Sequence, residues 1–128
     1  MILGFDPLFD MVDIAGSAEE LTSLADAVAA GQGLLDCASA PGRNTLAGVE
    51  VRPGPGPGVL VQHDAERRIL VISGDAEARE ALAGELRDMA LAEDGGHLHI
   101  ELYPEHDYVA EGSLSLVVNS PHGGMPRR

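Results

Sequence analysis

The chain has no tryptophan and no lysine, and only two phenylalanines, two tyrosines and one cysteine in 128 residues. With 45% hydrophobic residues but so few rings, the core must be built from Leu, Val, Ile and Ala. Base-stacking platforms and aromatic ligand cages are correspondingly disfavoured. The single cysteine, Cys37, excludes an intramolecular disulfide. No run of about 18 apolar residues exists to span a bilayer, and no charged-then-apolar leader opens the chain, so a cytoplasmic location is expected. Basic residues are scarce too. Eight arginines face 21 acidic residues, for a net charge of −13. An acidic surface repels phosphate backbones and anionic lipid, which disfavours nucleic-acid and membrane partners. It suits a basic protein partner, although net charge also serves plain solubility.

What is present is an apparent repeat. Shifted by 58 positions, Asp6 falls on Asp64, Ile14 on Ile72, Gly16 on Gly74, Ala18-Glu19 on Ala76-Glu77 and Leu24-Ala25 on Leu82-Ala83. Apolar residues match apolar ones around them, as Ile2-Leu3 match Leu60-Val61. The expectation is a duplicated unit within one domain over residues 1–121. Its halves are 1–52 and 59–121, joined by a Pro-Gly-Pro-Gly-Pro-Gly connector at 53–58, with a disordered tail at 122–128. No Lys, Ser or Thr adjoins the connector, which rules out a Walker-type phosphate loop.

Local signals fill in each half. Residues 1–6 and 9–15 read as strands around an Asp6-Pro7 turn. Ser17 and Glu20 have the spacing of a capping box. Leu21, Leu24, Ala25 and Val28 then form one apolar helical stripe, closed by Gly31 and Gly33. A brief strand at 34–38, a loop at 40–45 and a strand at 46–52 follow. The second half repeats this with strands at 59–62 and 68–73, the latter apolar on both faces and so expected inside a sheet. Asp75 caps a helix carrying Ala78, Leu82, Leu86 and Met89 inward. Strands follow at 97–103 and 114–118. The sum is an α+β fold: two layers, a mainly antiparallel sheet with two helices on one face, and an internal pseudo-two-fold ββαββ repeat.

Chemistry-bearing residues cluster in one place. His97, His99 and Glu101 alternate along a strand, which sets them in a row about 7 Å apart. Two histidines and a carboxylate suit zinc or ferrous iron, and the following loop adds His106. The alternative is a polar sheet face without metal. Tyr103, Glu105, His106 and Asp107 are candidates for contacting a partner. Cys37 could act as a nucleophile only if folding brought His63 or His99 beside it; most lone cysteines in aliphatic surroundings are packing. No Gly-x-Ser-x-Gly elbow and no His-Glu-x-x-His helix is present. Asp10 and Asp13 interrupt an apolar strand, as charges do on an exposed sheet edge.

The stretch from Gly95 to His106 (GGHLHIELYPEH), preceded by Ile72 to Glu77 (ISGDAE), resembles the immunity protein 32 family of bacterial partners of secreted polymorphic toxins. The resemblance covers about residues 59–118, and the first half through Gly16 to Glu20. It implies an α+β protein without catalytic residues or cofactor, acting by docking on a cognate toxin and blocking it; the net charge fits a basic toxin. A metal-binding protein or small metal-dependent enzyme using the histidine row is the alternative. A homodimer covering the helix-free sheet face is a third possibility, so monomer and homodimer both stay open.

Overall fold

Turns and two capped helices divide the described residues of this chain in the computed structural model, and several of the boundaries have a visible physical cause. The structure describes residues 1–38, 44–92, 97–100, 108–110 and 112–119. Strands β1 (Ile2–Asp6) and β2 (Met11–Ala15) are joined by a turn in which the Asp6 carboxylate accepts the Leu8 N–H at 3.0 Å. The turn ends at Asp10, in the left-handed region at φ 51°. Helix α1 (Ala18–Ala30) starts with the expected capping box: Glu20 N–H donates to Ser17 Oγ at 3.0 Å, and Ser17 N–H donates to Glu20 Oε1 at 2.9 Å. These bonds satisfy two amides that the first turn leaves without helical partners. Gly31, at φ 81°, closes the helix in a conformation that costs glycine nothing.

Strands β3 (Gly33–Asp36) and β4 (Gly48–Pro53) complete the first half. Strands β5 (Val59–Asp64) and β6 (Ile69–Gly74) open the second, around a turn where Asp64 accepts the N–H groups of Glu66 and Arg67 at 3.2 Å each. Arg68, at φ 56°, ends this turn as Asp10 ends the first. Helix α2 (Ala76–Leu91) is capped by Asp75, and strands β7 (His97–Ile100) and β8 (Ser115–Asn119) follow.

The fold is α+β, and among the described residues there are two helices, but the strands form two sheets rather than the single one expected. Their orders are β1-β2-β8-β7 and β3-β4-β6-β5. Each is mixed. The outer pairs β1–β2, β7–β8, β3–β4 and β5–β6 are antiparallel, while the central pairs β2–β8 and β4–β6 are parallel. Every sheet therefore takes two strands from each half of the chain. Sequence periodicity reports which face of a strand is buried, not which distant strand lies beside it, and so could not reveal this exchange. Adding four to each strand number of the first half, and subtracting four in the second, converts one sheet order into the other. Asp10 and Arg68, the non-glycine residues with positive φ among those described, and the two helix caps obey the same 58-residue spacing. These correspondences are ones of order, pairing and local backbone; descent by duplication remains an expectation from the sequence.

The chain leading into β4 closes the outer edge of β1. Phe5 N–H donates to the Asn44 carbonyl at 2.8 Å and Leu46 N–H to the Leu3 carbonyl at 2.9 Å. The chain leading into β8 does the same for β5, through Tyr108, Ala110 and Leu114. Two edges that would otherwise invite foreign strands are thus occupied.

The inner faces of both sheets and the facing sides of the helices share one aliphatic core. Leu3, Val12, Ile14, Leu116 and Val118 come from one sheet, and Val49, Val51, Leu70, Ile72 and Val61 from the other. Leu21, Leu24, Val28, Leu82 and Leu86 are contributed by the helices, which also pack directly on one another. Interior strand β6 is buried on both faces from Ile69 to Ile72. The connector, whose alternating proline and glycine are expected to form neither helix nor ladder, enters a ladder at its first residue. Pro53 belongs to β4, opposite Gly74, and Gly58 N–H donates to Asp75 at 2.8 Å. Its glycines permit close approach: a Cβ on Gly58 would lie 2.7 Å from the Tyr108 carbonyl oxygen.

A buried cation links the helices. Arg79, 8% exposed, donates from Nε to the Gly74 carbonyl at 2.9 Å, and from Nη1 to the Val28 and Ala29 carbonyls at 3.0 Å each. Those two carbonyls stand in the last turn of α1, which carries no basic residue of its own. The guanidinium thus satisfies acceptors that a helix end leaves open, and lies where the helix dipole is negative.

Candidate interaction surface

The histidine row is described only through its backbone. His97 is the register partner of Asn119, and His99 that of Val117, which in turn lies opposite Asp13 on β2. Glu101, Tyr103, Glu105, His106 and Asp107 lie outside the described residues, so the expected ligand set and partner-contact loop are not assembled here. Among the described residues, no group of three or more His, Cys, Asp or Glu side chains is placed to hold a metal ion.

Asp13 is not on an exposed edge, contrary to expectation. Strand β2 lies between β1 and β8. The Asp13 carboxylate accepts a short hydrogen bond from Asn119 Nδ2, which also donates to the Ile14 carbonyl at 3.0 Å. The pairing strand comes from more than 100 residues further along, which is why no local pattern pointed to it. Asp10 sits in the turn, where its carbonyl accepts the Ser115 N–H at 3.0 Å and ties the hairpin to β8.

The tip of this hairpin was missed in the sequence, though its signal was there: two large apolar residues inside a turn, between two aspartates. Leu8 is 82% exposed and Phe9 68%. Beside the tip, a cleft of about 320 Å³ is lined by Pro7, Met11, Asp6 and Asp13.

The outer face of the second sheet has a different character. Arg67 donates to Glu50 at 2.6 Å and to Asp64 at 2.9 Å, and Arg52 reaches Glu50 at 3.1 Å. The Arg67 guanidinium holds both carboxyls below the usual range, and they push its own pKa up in return. These charges satisfy one another.

A third region, of about 580 Å³, adjoins the start of α2 and is lined by Gly58, Asp75, Glu77 and Tyr108. Burial pushes the Tyr108 phenol well up, and its hydrogen bond to Glu85 adds to the shift. A phenol held protonated is a donor, not a base. Cys37 is half-buried, and burial likewise raises its thiol pKa. Among the described residues no hydrogen bond joins it to a base, while the ring of His63 stacks on Phe5 with centroids 4.3 Å apart. Cys37 therefore lacks, among the described residues, the hydrogen-bonded base that would make it a nucleophile.

No helix of the described structure is long and apolar enough to cross a membrane. In comparison with known proteins, the family model of immunity protein 32 matches residues 69–121, which run from β6 through α2 and β7 to beyond β8. The chain is similar to that family over this part of its length. No curated protein and no solved structure matches the chain.

Proposed function

Starting from that match over residues 69–121, we propose that the protein is a non-enzymatic, immunity-type inhibitor that binds a basic protein toxin through its acidic surface. The family match carries the reading. The net charge of −13 supports its electrostatic half, because complementary fields speed encounter and select against acidic competitors. Inhibition of this kind is stoichiometric: the bound module covers the toxin's active site and needs no reaction centre of its own. The proposal includes a cytoplasmic site of action, where a toxin entering or made in the cell would meet it.

The test is co-expression with the protein encoded beside this gene. A one-to-one complex that survives gel filtration, together with rescue of growth in cells expressing the toxin domain, is the expected result. A neighbouring product that neither binds nor harms cells would refute the proposal.

A further inference from the structure

Charge is not spread evenly along the chain. Residues 1–42 contain seven acidic residues and no Arg, Lys or His. Two of the seven are matched locally. Glu20 pairs with the terminal amine at 2.6 Å, and Asp26 pairs with Arg87 at 3.1 Å. Asp6, Asp10 and Asp13, all on the β1–β2 hairpin, have no cation within ion-pair range among the described residues. They surround Leu8 and Phe9, a contiguous pair of large side chains turned to solvent. Exposed apolar groups are ordinary when scattered, whereas an adjacent pair at a hydrogen-bonded hairpin tip is not.

We propose that this tip is where the basic partner docks, with Leu8 and Phe9 entering an apolar socket whose rim carries Arg or Lys. The inference rests on the immunity-type reading and names the surface that reading requires. Three observations carry it. The tip is held in advance by the β1–β2 ladder, the Asp6 carboxylate on Leu8 N–H and the Ser115 N–H on the Asp10 carbonyl, so little freedom is lost on binding. The adjacent cleft offers the apolar surface of Pro7 and Met11 for the methylene stem of a partner's Arg or Lys, with Asp6 and Asp13 at hand for its charged head. Among the described residues the other two large exposed apolar side chains, Leu34 and Leu91, stand singly. Side chains sunk in a well-packed, desolvated pocket are the usual energetic centre of protein interfaces.

Binding of the co-encoded toxin domain, measured by biolayer interferometry, tests this. Leu8→Ser/Phe9→Ser, confirmed to melt at the wild-type temperature, should weaken binding by about thirty-fold or more, the loss typical of a hot spot. Asp6→Asn/Asp10→Asn keeps the turn's acceptors and should slow association about tenfold at low ionic strength, the difference shrinking in 0.5 M salt. Leu34→Ser/Leu91→Ser should bind within twofold of wild type. Wild-type affinity in the first variant, or loss confined to the last, overturns the docking proposal and leaves the immunity-type reading standing. A wild-type protein that binds no co-encoded toxin removes both. Self-association of the wild type that the first variant abolishes would instead assign the tip to a second copy of this chain, and would also overturn the proposal.

Discussion

Replacing Arg79 by Met is the sharpest probe of how the two helices are joined. The guanidinium makes three hydrogen bonds to carbonyls, between 2.9 and 3.0 Å, at a site only 8% exposed. Methionine keeps most of the apolar stem but leaves the Val28, Ala29 and Gly74 oxygens without this donor. A buried group left without its hydrogen bond costs about 1–3 kcal/mol, and loss of a cation at a partly buried helix C-terminus up to about 2 kcal/mol. Removing the cation also removes its desolvation cost, which offsets part of the loss. A net destabilisation of about 2–4 kcal/mol follows. For a chain of this length that is a fall in Tm on the order of 10 °C. Arg79→Lys keeps the charge but loses the planar fork, and should cost about 1–2 kcal/mol. Urea and thermal unfolding followed by circular dichroism measure both. An Arg79→Met protein within about 0.5 kcal/mol of wild type, the ordinary range for an inert surface change, would refute the reasoning.

Four further outcomes are expected. Gly31→Ala should destabilise by about 2 kcal/mol or more in the same unfolding assay, because its φ is 81° and the new Cβ would meet Arg79 Nη1 at 2.6 Å. Leu24→Ala should cost about 2–5 kcal/mol, since the side chain is fully buried in the core shared by both sheets. Asp75 accepts the Gly58 and Ala78 N–H groups, and these bonds hold its carboxyl below the usual range. Its contribution is therefore present above the unfolded-state pKa, near 4, and lost as pH falls through the depressed folded value. Asp75→Asn should accordingly flatten the acid limb of a stability–pH curve. Finally, Cys37 should react with a thiol reagent at pH 7 far more slowly in the native protein than in urea, because burial keeps the thiol protonated; equal rates would contradict its placement.

Much of the local structure was legible beforehand because its causes are local. Ser17 and Glu20 announced the start of α1 by spacing, Asp75 that of α2, and the Ile69 to Ile72 run announced a strand covered on both faces. The α+β class follows from these. Arg79 was not legible. Its counterpart at the 58-residue spacing is Leu21, a core residue, and nothing in the helix pattern says that an arginine there would find the carbonyls of α1. The exposed Leu8 and Phe9 were visible as residues, yet a turn inferred from Asp6-Pro7 does not say which way its apolar members face. The histidine row was legible as a pattern, and its strand exists from His97 to Ile100, but what that pattern does depends on residues beyond the described ones.

The amino-acid sequence by itself determined the kinds and order of the elements, their buried faces, the aliphatic core and the excess of negative charge. Each of these arises from contacts within a few residues or from composition alone. Tertiary structure decided which strands became neighbours, splitting one anticipated sheet into two that exchange strands between the halves of the chain. It also brought Asn119 to Asp13 and Arg79 to the end of α1. Hydrogen-bonding edges and helix ends carry no mark of their distant partners, so the choice among them falls to the packing of the whole chain.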